Sequence, residues 1–202
     1  EGVVIAVEEK PRRLQISTTP QKIFQVDYHI GAAAAGYIPD ARAQVDNARF
    51  FSQSNKLVYD EAVEVETVAK HLADQCQQYT QYAGARPLGV SLIIGGIDST
   101  GSSLYLTDPS GAYVLYDAVA IGASSDIATE FLEKNYSKDL SLDDAKTLAI
   151  AVINLVSDEK ESADNIKMSQ VHSDAKSFEF VEKKEIEKLI SSSKTKYPPT
   201  TK

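Results

Sequence analysis

Residues 79–98 read YTQYAGARPLGVSLIIGGID. The first residues close a helical stripe in which Val65, Val68, Ala69, Leu72, Ala73, Cys76 and Tyr79 recur at three- and four-residue spacing. The last ten, Gly89–Asp98, form a long apolar run of strand character. Between them stand Tyr82, Ala83, Gly84, Ala85, Arg86 and Pro87. A helix-to-strand junction needs little more than a glycine and a proline. An aromatic ring, small residues and a cation exceed that need and mark the junction as a candidate for function.

Upstream, Val3–Val7 is a continuous apolar run, as a strand covered on both faces shows. Lys10–Arg13 is a charged loop. Ile23–Asp27 and Tyr28–Gly36 read as successive strands. The second is nearly all alanine, which predicts a place where neighbouring layers press close. Pro39-Asp40 opens a helix carrying Ala41, Val45, Ala48 and Phe51, with a stop at Asn55. Downstream, Ser102–Thr107 alternates and Asp108-Pro109-Ser110-Gly111 is a turn signal. Tyr113–Asp117 and Val119–Gly122 read as two short strands. A third helix carries Ile127, Ala128, Phe131, Leu132 and Tyr136, and a fourth carries Leu142, Ala145, Leu148, Val152 and Leu155. Lys167–Ser173 and Ser177–Val181 suggest a hairpin, and Glu182–Ile190 a short charged helix.

Segregated runs of strands and helices predict α+β layering, here a four-layer αββα sandwich. The reading gives one domain over 1–190, followed by a polar tail over 191–202 without a core-forming pattern, expected to be disordered. The opening EGVVIAVEEK reads as a strand already under way, so the expectation is that sequence precedes it.

Composition narrows the function classes. Of 202 residues, 43% are apolar, enough for a sizeable core. A net charge of −8 argues against a nucleic-acid partner. No apolar run approaches the roughly 18–20 residues that span a bilayer, so no membrane is expected. Cys76 is the one cysteine, which rules out an internal disulfide and fits a reducing compartment.

Gly96–Ser103 has the glycine spacing of a phosphate loop, but no lysine follows the second glycine and a strand comes next, so it reads as a hairpin turn. His29, His71 and His172 share no ligand spacing, and no metal is expected. Cys76, on an apolar stripe, reads as a buried thiol. Asn135-Tyr136-Ser137 fits a glycosylation sequon, but without a secretory signal it reads as chance. Lys22 precedes an apolar strand; it is either an exposed strand-end lysine or one that holds a carboxylate.

Two segments carry a family resemblance. Gly36-Tyr37-Ile38-Pro39-Asp40-Ala41-Arg42 resembles the G-x-x-x-D-A-R signature of proteasome subunits. Gln78–Leu92 resembles the QxYTQxxGxRPxGVSL signature of their α class, in an archaeal-like form. Gly95–Asp98, Asp108–Gly111, Ala120-Ile121-Gly122 and Ala145–Leu155 follow in the family's order, and the likeness runs from about Glu1 to Ile190.

The resemblance implies a sandwich of the Ntn-hydrolase type in a cytoplasmic particle for protein degradation. It further implies a non-catalytic subunit, with no cofactor, in a seven-membered ring of α-subunits. Such a ring stacks on β-subunits, admits unfolded protein substrates and docks an ATPase or other activator. Tyr82, Ala83, Gly84 and Ala85 match the loop lining the entrance channel, where Tyr-Gly-Gly-Val is usual. Lys22 matches the lysine that receives an activator's C-terminal carboxylate, from a tail ending hydrophobic-Tyr-X. Gly36 and Tyr37 match positions beside that pocket, Tyr37 replacing a more usual apolar residue.

In this family a gate segment, a helix and a first strand would precede Glu1. A catalytic residue would be a processed N-terminal threonine, which Glu1-Gly2 does not supply. The alternatives are a β-type or other Ntn-hydrolase enzyme whose nucleophile lies outside the sequence, and a stand-alone binding module on the same fold.

Overall fold

The computed structural model describes residues 2–11, 14–16, 20–157 and 162–198. Its elements in chain order are β1 (Gly2–Glu8), β2 (Ile23–Asp27), β3 (Ile30–Gly36), α1 (Ile38–Tyr59), α2 (Val65–Gln81), β4 (Val90–Ile97), β5 (Ser102–Thr107), β6 (Tyr113–Leu115), α3 (Ser125–Asn135), α4 (Leu142–Val156), β7 (Ile166–His172), β8 (Phe178–Phe180) and α5 (Lys183–Lys196). Two antiparallel sheets, of order β2-β3-β4-β5-β6 and β1-β7-β8, face each other. Helices α1 and α2 cover the first; α4 and α5 cover the second. The result is the αββα layering expected from the order of runs.

Side-chain alternation along strands explains the alanines. Ala32 and Ala34 face the α1–α2 layer, where Val45, Val68 and Leu72 are buried. Ala33 faces the second sheet with Ile5, Val171 and Phe178. Every face of β3 is covered, and larger residues would push the layers apart. Gly31 shows how tight the fit is: a Cβ there would stand 2.6 Å from the Phe178 ring. Strand β1 sorts its residues the same way, with Val3 and Ile5 toward the first sheet and Val4 and Ala6 toward α4.

Residues 96–103 form the β4–β5 hairpin turn, not a phosphate loop. Asp98 Oδ1 accepts from the Thr100 N–H (2.8 Å) and hydroxyl (2.6 Å), and Oδ2 accepts from the Val65 N–H (2.9 Å) at the start of α2. A carboxylate thus satisfies an orphan donor of a helix N-terminus and ties the hairpin to α2.

Three boundaries differ from expectation. Helix α1 runs to Tyr59 and stops where Asp60 turns left-handed (φ 56°), four residues past Asn55. Asparagine is a permitted helix residue, and Asn55 did not end the helix. Val119–Gly122 is not a strand; only Tyr113–Leu115 pairs with β5, and among the described residues 119–122 join no ladder. Helix α5 continues to Lys196, through half of the segment expected to be a tail without structure. Ser193 is buried and donates to the Ile190 carbonyl, Lys196 pairs with Asp144, and Tyr197 meets Phe131 edge-on. An ion pair and one ring contact tie this turn to α4 and α3, so no apolar periodicity announces it. Residues 199–202 of that tail lie outside the described residues.

Candidate functional site

Lys22 sits where the chain enters β2. Its carbonyl accepts from the Ala34 N–H (3.0 Å), which sets it two positions from Gly36 along the β2–β3 pair. Glu9, almost fully buried, accepts from the N–H groups of Gln21 (2.7 Å) and Lys22 (2.6 Å) and so fixes this backbone. The Lys22 ammonium donates to the Glu8 carbonyl (2.8 Å). An ammonium carries three donors, so this bond leaves capacity for a further acceptor. Lys22 and Glu8 line a cavity of about 490 Å³ between β1, residues 116–123, α3 and α4. Thr18 and Thr19, quoted with Lys22 in the sequence, lie outside the described residues.

Gly36 ends β3 at φ +122°, and a Cβ there would stand 2.4 Å from the Gly89 carbonyl. Both the dihedral and the close approach require glycine. Tyr37 donates its N–H to that same carbonyl (2.7 Å) and leaves its ring half exposed. Gly36 and Tyr37 do not line the cavity that holds Lys22. Tyr37 turns instead toward the junction after α2.

That junction is an exposed turn. Helix α2 ends at Gln81, and the Ala85 N–H bonds the Tyr82 carbonyl (3.2 Å). Tyr82 is 68% exposed. Gly84 adopts φ +85°, with open space around it. Arg86 then returns to the fold. Its guanidinium donates Nη1 and Nη2 to the two oxygens of Asp40 (2.6 and 2.7 Å). Asp40 also accepts from the Gly89 N–H (2.9 Å), and the Arg86 guanidinium lies 5.3 Å from the centre of the Tyr37 ring. The Arg86 hydrogen bonds hold the Asp40 carboxyl below the usual carboxylate range, against an opposing effect of burial, and the Gly89 N–H adds to the lowering.

This pairing escaped the sequence reading. Asp40 and Arg86 belong to the two family-like segments, but 46 positions separate them and nothing in either segment names the other as partner.

The remaining candidates have structural surroundings. His29 is buried, with Nε2 2.8 Å from the Val63 carbonyl. His71 stacks on Phe51, and burial lowers its pKa. Cys76 is buried, burial pushes its thiol up, and its sulfur accepts from Gln44 (2.8 Å). Among the described residues, no three His, Cys, Asp or Glu side chains gather as a metal site would require. Among the same residues, no helix is long and apolar enough to cross a membrane.

The family model described as proteasome subunit matches residues 1–171. The chain is 41% identical over 191 residues to the proteasome subunit alpha of Archaeoglobus fulgidus, covering 94% of this chain and 77% of that one. It is 42% identical to proteasome subunit alpha 1 of Haloferax volcanii, covering 94% and 76%. To the proteasome subunit alpha of Methanothermobacter thermautotrophicus it is 40% identical, covering 88% and 72%. Layered sheets of this Ntn-hydrolase type, matched over these lengths, define the class: the chain belongs to the proteasome subunit family. Within it the chain is an α-type subunit of archaeal-like sequence.

Proposed function

We propose that the chain forms part of an α-ring that admits unfolded protein to a proteolytic chamber and docks activator C-termini, without cleaving peptide bonds itself. The observation that carries this reading is the exposed Tyr82–Ala85 turn on a clamped base. Tyr82 stands out from the surface, while Arg86 and Gly89 after the turn are bound to Asp40 of α1. A ring with such turns toward its axis has a narrow, partly apolar constriction that passes extended chains. Lys22 supplies the second half of the reading: a half-buried ammonium with spare donors suits a terminal carboxylate. The β-type enzyme is the weaker alternative, because the relatives described above carry the name alpha.

In a reconstituted core particle, Lys22→Ala should abolish the stimulation of peptide hydrolysis by a tail peptide ending hydrophobic-Tyr-X, leaving unstimulated hydrolysis in place. Stimulation equal to wild type would remove Lys22 from the docking role. In the same particle a Tyr82→Cys thiol should react with reagents that enter the pore. A protected thiol would place the turn against another surface.

A further inference from the structure

Side chains of β1 alternate between the two faces of its sheet, with Val3, Ile5 and Val7 toward the first sheet. Glu9 continues that row just past the strand, and its N–H bonds the Asn165 carbonyl (2.8 Å), which prolongs the β1–β7 ladder. Glu8, of the opposite parity, turns its carboxylate to the Ser157 hydroxyl (2.5 Å) at the end of α4. Alternation thus sets Glu9 on the side of the first sheet, only 6% exposed, at a place in the row where an apolar side chain would pack without loss. A buried carboxylate is costly unless donors reach it. The donors here are the N–H groups of Gln21 (2.7 Å) and Lys22 (2.6 Å), both bonded to Oε1. Arg42 also donates to the Gln21 amide oxygen (2.5 Å), but that bond is exposed and competes with water. Lys22 is therefore bound to the first sheet through its carbonyl and to the end of β1 through Glu9, while its ammonium reaches the Glu8 carbonyl (2.8 Å).

We propose that Glu9 is a positioning residue for Lys22: its two bonds to the backbone of residues 21 and 22 hold the Lys22 ammonium where an incoming terminal carboxylate meets it. The proposal rests on the docking role of Lys22 given above. Lysine is a point charge on a flexible stem, so its side chain does not fix its own place. Holding the backbone at the root and the ammonium at the Glu8 carbonyl leaves only the stem free to move. Glutamine has the length of glutamate and an oxygen at the same place, so Glu9→Gln keeps both bonds and loses the charge. Glu9→Ala takes the acceptor away from both N–H groups.

Two measurements separate the grip from the docking. In the full chain, amide hydrogen exchange at Gln21 and Lys22 should quicken about tenfold in Glu9→Ala and stay within about twofold of wild type in Glu9→Gln. The amides of β4 are the reference and should be unchanged. In a reconstituted core particle, a peptide ending Leu-Tyr-Ala is compared with its C-terminal amide. The free acid should need about tenfold more peptide for half-maximal stimulation in Glu9→Ala, with the same stimulation at saturation, while Glu9→Gln stays near wild type. The amide form, which lacks the carboxylate, should respond to neither substitution. Unchanged exchange in Glu9→Ala overturns the proposal, as does equal quickening in β4, which would mean general destabilisation. A wild-type half-maximal concentration in Glu9→Ala overturns it as well. Glu9→Gln as weak as Glu9→Ala would show that the charge acts and the two bonds do not, with the same consequence. An acid no better than its amide in wild type sinks the docking role of Lys22 instead, and exchange still decides whether Glu9 holds the segment.

Discussion

The two helical flanks of the sandwich carry similar apolar periodicity and pack differently. On the α1–α2 flank, Val65, Val68, Ala69, Leu72 and Ala73 are fully excluded from solvent. On the α3–α4 flank, α3 buries only Ala128, and a cavity of about 490 Å³ remains between α3, α4, β1 and residues 116–123. The difference lies in what each flank faces. Helices α1 and α2 lie on a ladder of paired strands whose alternate side chains form a continuous apolar floor. Helix α3 shares the cavity wall with residues 117–123, which join no ladder among the described residues and offer no such floor. Amphipathic spacing tells which side of a helix turns inward; the opposing surface sets how closely it fits.

Core truncations should break the two flanks apart. Leu72→Ala empties a fully enclosed site and should cost about 2–5 kcal/mol, read from urea denaturation. Leu132→Ala, at the cavity wall and already partly exposed, should cost about 1 kcal/mol, within the range of partly buried sites. Equal losses at the two positions would mean that α3 is packed as tightly as α2.

The tie between the β4–β5 hairpin and α2 is the next in size. Burial opposes ionisation of Asp98, but the Thr100 hydroxyl and the N–H groups of Val65 and Thr100 outweigh it and lower its pKa. Its folded value lies below the unfolded one, so its contribution is complete above the ordinary aspartate value of about 3.9 and is lost as pH falls through the folded value. Asp98→Asn should therefore cost about 1 kcal/mol near neutrality and reduce the decline in stability between neutral and acid pH. A variant that declines as steeply as wild type would show that Asp98 gains nothing from these donors.

The smallest effect should come from filling the looser flank. Ala149 lines the cavity on α4. Ala149→Leu should leave stability unchanged or raise it by up to about 1 kcal/mol in the same denaturation series. A loss of several kcal/mol would show that the space is closed in solution.

Much of this was legible in the residues. The alanine run named β3 as the strand pressed from both faces, and Ala32, Ala33 and Ala34 are indeed buried on alternating sides. The helical stripe from Val65 to Cys76 gave α2 its buried face. Val119–Gly122 misled because small apolar residues suit a strand only where a partner strand lies alongside, and partnership is a property of the assembled sheet. The last turns of α5 were invisible for the opposite reason: Lys196 and Tyr197 dock there through an ion pair and a single ring contact, which leave no period in the sequence.

Local pattern, then, determined which segments are helix or strand, which faces turn inward, and that the residues after α2 carry more chemistry than a junction needs. Those properties follow from spacing along one chain. Only the tertiary structure decided that Arg86 closes on Asp40 and stacks on Tyr37, that Glu9 holds the backbone of Lys22, and that one flank keeps a cavity. Each of those depends on groups distant in sequence meeting within a few ångströms, and that distance is set by how the layers pack.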